Sequence, residues 1–318
     1  KIKMTKSLRI IYMAGGADYT IFPLERILKS KHRLVHVFTK NPQPSGRGKK
    51  IYPHALLNFL VNNNLPYSMP SNYKCEEIIR NIKVMSPDLI LVFSFGHILP
   101  EKILKIPRLG CLNIHASLLP KWRGPSPVQY VLLNNETETG FTIMIMNNKV
   151  DHGKILYKEK VIVDENDNTS SLLNKITELA CKSIIEIINK YSKGDIKAVE
   201  QDHKRATYTS IIKKNETYID FNNDADSILA KVRAYNPNPG AKCYINKELI
   251  KIIEAKKEYI NNKNKTGIII DNKLLISCRK DAIRPSIIQR SGKKPLKLDE
   301  ALNGWKVIPG TLVKSKIE

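Results

Sequence analysis

Residues 110–124, GCLNIHASLLPKWRG, set an amide and an imidazole two positions apart in a short β-branched run. In an extended chain Asn113 and His115 project from one side and Ile114 from the other. A lone histidine is most often a satisfied core or surface residue, so the pair gains meaning only from its surroundings. Pro120 pins the Ala-Ser-Leu-Leu-Pro that follows, and KWRG adds an Arg and a Gly before the next helical stretch, so the chain folds tightly back around the pair. Downstream, FTIMIMNNKVDHGKIL places Asp151 just past another strand, where a neighbouring parallel strand would bring its carboxylate to the imidazole. By itself Asp-x-Gly is a turn signature. Together the three side chains form a usable set: an amide donor, an imidazole, and a carboxylate that fixes the ring's tautomer or strengthens it as a base.

These residues need a scaffold, and the sequence outlines one. LRIIYM (8–13), LVHVF (34–38), DLILVFS (88–94), CLNI (111–114) and FTIMIM (141–146) read as strands, with helices over 20–30, 53–63, 75–85 and 169–193. Strands alternating with helices predict an α/β, Rossmann-like, mostly parallel sheet, whose ligands bind beyond the carboxyl ends of the strands. The pattern changes after about residue 195. A catalytic domain is expected over 1–195, a polar linker over 196–212, and a smaller domain over 213–318. In that last part a helix at 224–235 precedes short runs such as KCYI, IKIIEA, TGIIIDN and KLLISC, the spacing of a small barrel or sandwich.

The chain has 318 residues, 42% of them hydrophobic, enough to bury a core in each of two domains. Lys and Arg outnumber Asp and Glu by 53 to 30, a formal charge of +23 that suits a polyanionic partner, although a sequence this rich in Lys, Asn and Ile also suits a solvated surface. Residues 213–318 hold 22 Lys and Arg against 12 Asp and Glu, which makes the smaller domain the more densely basic. The five cysteines are odd in number, widely spaced and free of CxxC pairs, which argues against a disulfide framework or a zinc site and for a reducing compartment. No apolar run is long enough to span a membrane and the N-terminal apolar stretch is short for a signal peptide, so a cytoplasmic protein without a membrane partner is expected.

GCLNIHASLLPKWRGPSPVQ followed by ETGFTIMIMNNKVDHGKIL closely resembles the signature of the folate-dependent formyltransferases, and within them the branch acting on methionine esterified to initiator tRNA. The likeness is collinear, from LRIIYM through GRGKK (46–50) and FGHILP (95–100) to Tyr-Asn-Pro-x-Pro-Gly at 235–240. The resemblance implies a formyltransferase domain and a C-terminal OB-like β-barrel that helps to hold tRNA. It implies transfer of a formyl group from 10-formyltetrahydrofolate to the amino group of methionyl-initiator tRNA, with no metal, by a monomer. Asn113, His115 and Asp151 are then the catalytic residues. Ser117, Leu118, Leu119 and Pro120, with Phe95 and Gly96 of the 95–100 loop, contact the folate, and Arg47, Lys49 and Lys50 contact tRNA phosphates.

Such a role suits the chemistry. Attack of an amine on a formyl carbon builds charge on the formyl oxygen, which Asn113 and a protonated His115 can meet, while the imidazole held by Asp151 can relay protons. The chain departs from the family pattern at AGGADYT (14–20), where Gly-Thr-Pro is usual, at Gln43, where a basic residue is common, and at Asn238, where an aromatic is. A folate-dependent transferase acting on an amino-sugar nucleotide or another small amine is the alternative; the basic second domain and the GRGKK loop favour tRNA. A binding protein that has inherited an enzyme's fold would not need the intact Asn-His-Asp set.

Overall fold

The computed structural model describes residues 6–45, 50–261 and 265–316, so Arg47 and Lys49 lie outside the described residues and of Lys50 only the backbone is described. The chain divides into two compact units. The first comprises Lys1–Pro127, Glu138–Ile162 and Leu173–Thr209; the second comprises Val128–Thr137, Val163–Leu172 and Ser210–Glu318.

In the first unit β1 (Arg9–Ala14), α1 (Ile21–Leu28), β2 (Arg33–Phe38), a two-residue ribbon of β3 (Pro44–Ser45) and β4 (Lys50–Ile51), α2 (Ala55–Asn62), β5 (Tyr67–Ser68), α3 (Glu76–Met85), β6 (Leu89–Phe93), α4 (Glu101–Leu104) and β7 (Cys111–His115) follow in turn. Then come β8 (Glu138–Ile145), β9 (Ile155–Ile162) and the long α6 (Thr169–Lys193); α5 (Pro127–Leu133) after its first residue, and the first turn of α6, belong to the second unit. Seven strands form one sheet in the order β5-β2-β1-β6-β7-β8-β9. The strands from β5 to β7 are parallel, as crossover helices require, and β8 and β9 continue the sheet antiparallel. The sequence reading omitted β9 because Lys158, Glu159 and Lys160 interrupt its apolar run.

Apolar residues set this order. All five residues of β6 are buried, the signature of a central parallel strand covered on both faces. Ile11 and Met13 of β1, Phe38 of β2, and Ile90 and Val92 of β6 share one core with Ile79 and Ile82 of α3 and Ile103 of α4. Tyr12, out of step by one, is fully buried on the other face and donates its hydroxyl to the Thr20 carbonyl. In α6 the buried Ile176, Ala180, Ile184 and Ile188 recur every four residues, which is why that stretch coils into a helix with one apolar face. Each such buried Ile contributes about 2 kcal/mol.

The second unit carries α7 (Ala225–Tyr235), β10 (Ala241–Ile245), β11 (Glu248–Glu258), β12 (Ile276–Ser277), β13 (Ala282–Arg290), β14 (Leu296–Lys297) and α8 (Leu298–Leu302). Its strands form a five-stranded antiparallel sheet ordered β10-β11-β13-β12, with β14 on β13, curled around Ile228, Val232, Ile250, Ile252, Ile283 and Ile288. The TGIIIDN run forms isolated bridges at Ile268 and Ile269 instead of a named strand. Four of the five cysteines are buried, and burial alone pushes the Cys111 and Cys243 thiols up to about 12, so they behave as small apolar residues. Among the described residues no helix is long and apolar enough to cross a membrane.

Candidate active site

The carboxyl ends of β1, β6 and β7 lie side by side, since Ala14 pairs with Phe93 and Phe93 with Ile114. The segments beginning at Gly15, Ser94 and Ala116 therefore leave the sheet from one edge, where a doubly wound fold offers its ligand crevice. The AGGADYT turn is closed by Thr20, whose buried hydroxyl bonds the Gly15 and Ala17 carbonyls. In the 95–100 loop Phe95 is buried and meets the Tyr73 ring at 5.2 Å and His97 at 5.1 Å. Burial, and then the Lys40 ammonium, hold His97 below its ordinary value, so this wall presents an uncharged ring near neutral pH.

Asn113 and His115 do share a face of β7, and one carboxylate meets both. Asn113 Nδ2 donates to Asp151 Oδ1 at 3.4 Å, and His115 Nδ1 stands 3.5 Å from Asp151 Oδ2. His115 and Asp151 are 6% and 9% exposed, so this charge and ring meet largely away from water. The expected route to this meeting is corrected: β8 runs antiparallel to β7, so its carboxyl end lies beside Leu112 at the start of β7. Asp151 reaches the site because residues 146–154, between β8 and β9, fold back toward Asn113. The reversal puts Asp151 itself in the left-handed region at φ 50°, a conformation that costs a non-glycine residue energy and persists only where the surroundings impose it.

The second imidazole nitrogen settles the tautomer. His115 Nε2 lies 2.9 Å from the Trp122 carbonyl, which can only accept, so Nε2 carries a proton. Nδ1 is then the ring atom turned toward Asp151, at a separation longer than a hydrogen bond. The tightest partner of Asp151 Oδ2 is instead the Gly124 amide at 2.8 Å. Gly124 adopts φ 112°, and a Cβ there would stand 2.6 Å from the Thr209 carbonyl, so only glycine allows the loop to turn its N–H onto the carboxylate.

The Ser117–Pro120 stretch divides into anchors and surface. Ser117 and Leu119 are fully buried: the Thr142 hydroxyl of β8 donates to the Ser117 carbonyl at 2.7 Å and accepts from the Leu119 amide at 3.0 Å. Leu118 and Pro120 are half-buried and are the members whose side chains a ligand can reach. Gly96, at φ 70°, leaves the Lys40 ammonium 2.6 Å from where a Cβ would be.

The N-terminal formyl transferase family profile matches residues 8–188, and the profile of the formyl transferase C-terminal domain matches 211–306. The chain belongs to the formyl transferase family. One relative, the methionyl-tRNA formyltransferase of Thermotoga maritima, is 35% identical over 314 residues, which cover 98% of this chain and 100% of that one. The methionyl-tRNA formyltransferase of Legionella pneumophila strain Corby is 32% identical over 299 residues, covering 93% and 95%. Among solved structures, the Helicobacter canadensis N-formyltransferase in complex with folinic acid and dTDP-3-aminofucose matches with a TM-score of 0.63 at 24% identity, over 90% of this chain and 100% of that one. That likeness is one of fold.

In this formyl transferase the residues that sequence reasoning missed lie in 199–209, a polar stretch that reads as linker. Val199 pairs with Ile155, Thr207 accepts the Arg123 amide at 2.9 Å, and the Thr209 amide bonds the Arg123 carbonyl at 2.7 Å. Arg123 is 1% exposed and Gln201 5%. A basic residue ahead of a glycine reads as a loop cation, and nothing local in the sequence announces a buried guanidinium with partners some eighty positions away. Gly153, next to the site, supports a stability prediction: a Cβ there would fall 1.7 Å from the Ile145 carbonyl. Gly153→Ala should cost about 3 kcal/mol, read as a lowered urea midpoint with an unchanged slope.

Proposed function

We propose that the protein transfers the formyl group of 10-formyltetrahydrofolate to the amino group of methionine esterified to initiator tRNA, with Asn113, His115 and Asp151 carrying the chemistry. The observation that supports this most directly is the convergence of Asn113 and His115 on the single buried carboxylate of Asp151 at the ligand edge of the sheet. The free hydrogen of the Asn113 amide meets the formyl oxygen as it gains charge. The amine nitrogen bonds to the formyl carbon, the bond from that carbon to the folate nitrogen breaks, and the amine's proton passes by way of the His115 imidazole to the departing nitrogen. Asp151 balances the charge the ring holds between these events. The folate lies along Leu118, Pro120 and the 95–100 loop, with Ser117 and Leu119 holding that wall in place.

The basic segment 46–50 and the second unit serve the tRNA. Incubation with labelled formyl donor and charged initiator tRNA should move the label into acid-precipitable material; label appearing on an amino-sugar nucleotide instead would replace tRNA by a small amine. For Arg47, Lys49 and Lys50 we expect that alanine at all three raises the KM for tRNA, leaves that for folate unchanged, and flattens the plot of log affinity against log salt by roughly one unit per lost phosphate contact. An unchanged salt slope would remove this segment from the tRNA interface.

A further inference from the structure

We infer that Gln201, held by the buried Arg123, is a positioning residue that fixes the Asp151 carboxylate for transfer; the inference rests on the role proposed above for Asp151. Asp151 lies in the left-handed region, which aspartate adopts more readily than most residues, so the direction of its carboxylate depends on how the turn around it is held. The Gln201 amide nitrogen donates to the Asp151 carbonyl at 2.9 Å and to the Gly153 carbonyl at 2.7 Å, clasping the turn on both sides of His152. Its amide oxygen accepts from Arg123 Nη2 at 2.6 Å and Nε at 3.1 Å, which fixes which end of the amide faces the turn. Arg123 is itself fixed: Nη2 bonds His203 Nδ1 at 2.8 Å, and the guanidinium lies over the Tyr208 ring.

The same arginine serves the carboxylate from the other side. Its peptide runs between Thr207 and Thr209, and the next amide, that of Gly124, is the one that donates to Asp151 Oδ2. One buried side chain and the backbone beside it therefore grip both the main chain and the carboxylate of residue 151. A purely structural arginine would need any acceptor; here the acceptor is an amide whose two donors are both spent on the turn that carries the acid.

The test is steady-state kinetics on the full chain, with single and combined variants. Gln201→Ala should lower kcat by tenfold to about a hundredfold while the folate KM stays within twofold, the pattern of a misplaced group that acts in the transition state. Gln201→Glu keeps the acceptor for Arg123 but turns a carboxylate oxygen, in place of the donating amide, toward the two carbonyls; it should lower the melting temperature and lose kcat at least as Gln201→Ala does. In an Asp151→Ala background Gln201→Ala should cost nothing further. Near-normal kcat in Gln201→Glu, an undiminished cost of Gln201→Ala in the Asp151→Ala background, or loss of the fold in both Gln201 variants would overturn the inference. Near-normal turnover in Asp151→Ala alone would instead sink the proposed role of Asp151 and, with it, this one.

Discussion

Asn113→Asp should lower turnover by about a hundredfold or more while folate binding changes little. The substitution keeps the shape of the side chain and exchanges its donor for a second carboxylate. In the native site Asn113 Nδ2 stands 3.4 Å from Asp151 Oδ1, so the new oxygen would face an existing anion across that gap. Two consequences follow. On the proposed role of Asn113, the formyl oxygen loses the donor that meets its growing charge and meets a repelling group, a loss comparable to removing one oxyanion donor elsewhere. The two carboxylates also compete to stay ionised, and a proton shared between them would take Asp151 out of its pairing with His115. Single-turnover rates at saturating folate separate this from a binding defect, and a variant with near-normal turnover would withdraw Asn113 from the chemistry.

His115→Ala and Asp151→Ala should each depress turnover on the order of a thousandfold, with the double variant little worse than the worse single. In the proposed mechanism, removal of the imidazole takes away the proton acceptor and removal of the carboxylate takes away what balances the charged ring, so either loss disables the same unit. Asp151 has a further tie that sharpens the expectation. Its Oδ2 accepts the Gly124 amide, so Asp151→Ala leaves that N–H without its partner and loosens the loop that carries the Trp122 carbonyl, the fixed acceptor of His115 Nε2. Asp151→Asn retains an acceptor for Gly124 but no charge and should sit between the two. Losses that multiply in the double variant would show that Asp151 acts apart from His115.

The parallel core of the sheet is legible because its strands are short unbroken apolar runs between helical stretches of four-residue period. Asn113 and His115 are legible as partners because a strand's alternation puts them on one face. The path of Asp151 was not, since whether β8 runs with or against β7 depends on a connection whose direction no local pattern records. β9 was missed for a related reason: as an edge strand it alternates half-buried and exposed residues from Tyr157 on, and its lysines conceal the run. The role of 199–209 lay furthest from view. Gln201, Thr207 and Thr209 are polar residues of a kind that fills any loop, and their value comes entirely from the backbone groups of 120–126 and 151–153 that the fold brings to them.

The packing of 199–209 within the first unit sets where the chain could be cut and rejoined without disturbing Asp151. A recombination joint placed where the composition turns polar, near residue 195, would hand the Asp151 clasp to whichever C-terminal piece was acquired. A joint after Thr209 would leave the acid, its arginine and its glutamine on one inherited piece. Whatever follows Thr209 could then change while the Asp151 clasp passes on intact, so the self-sufficient piece ends later than the last helix of the sheet.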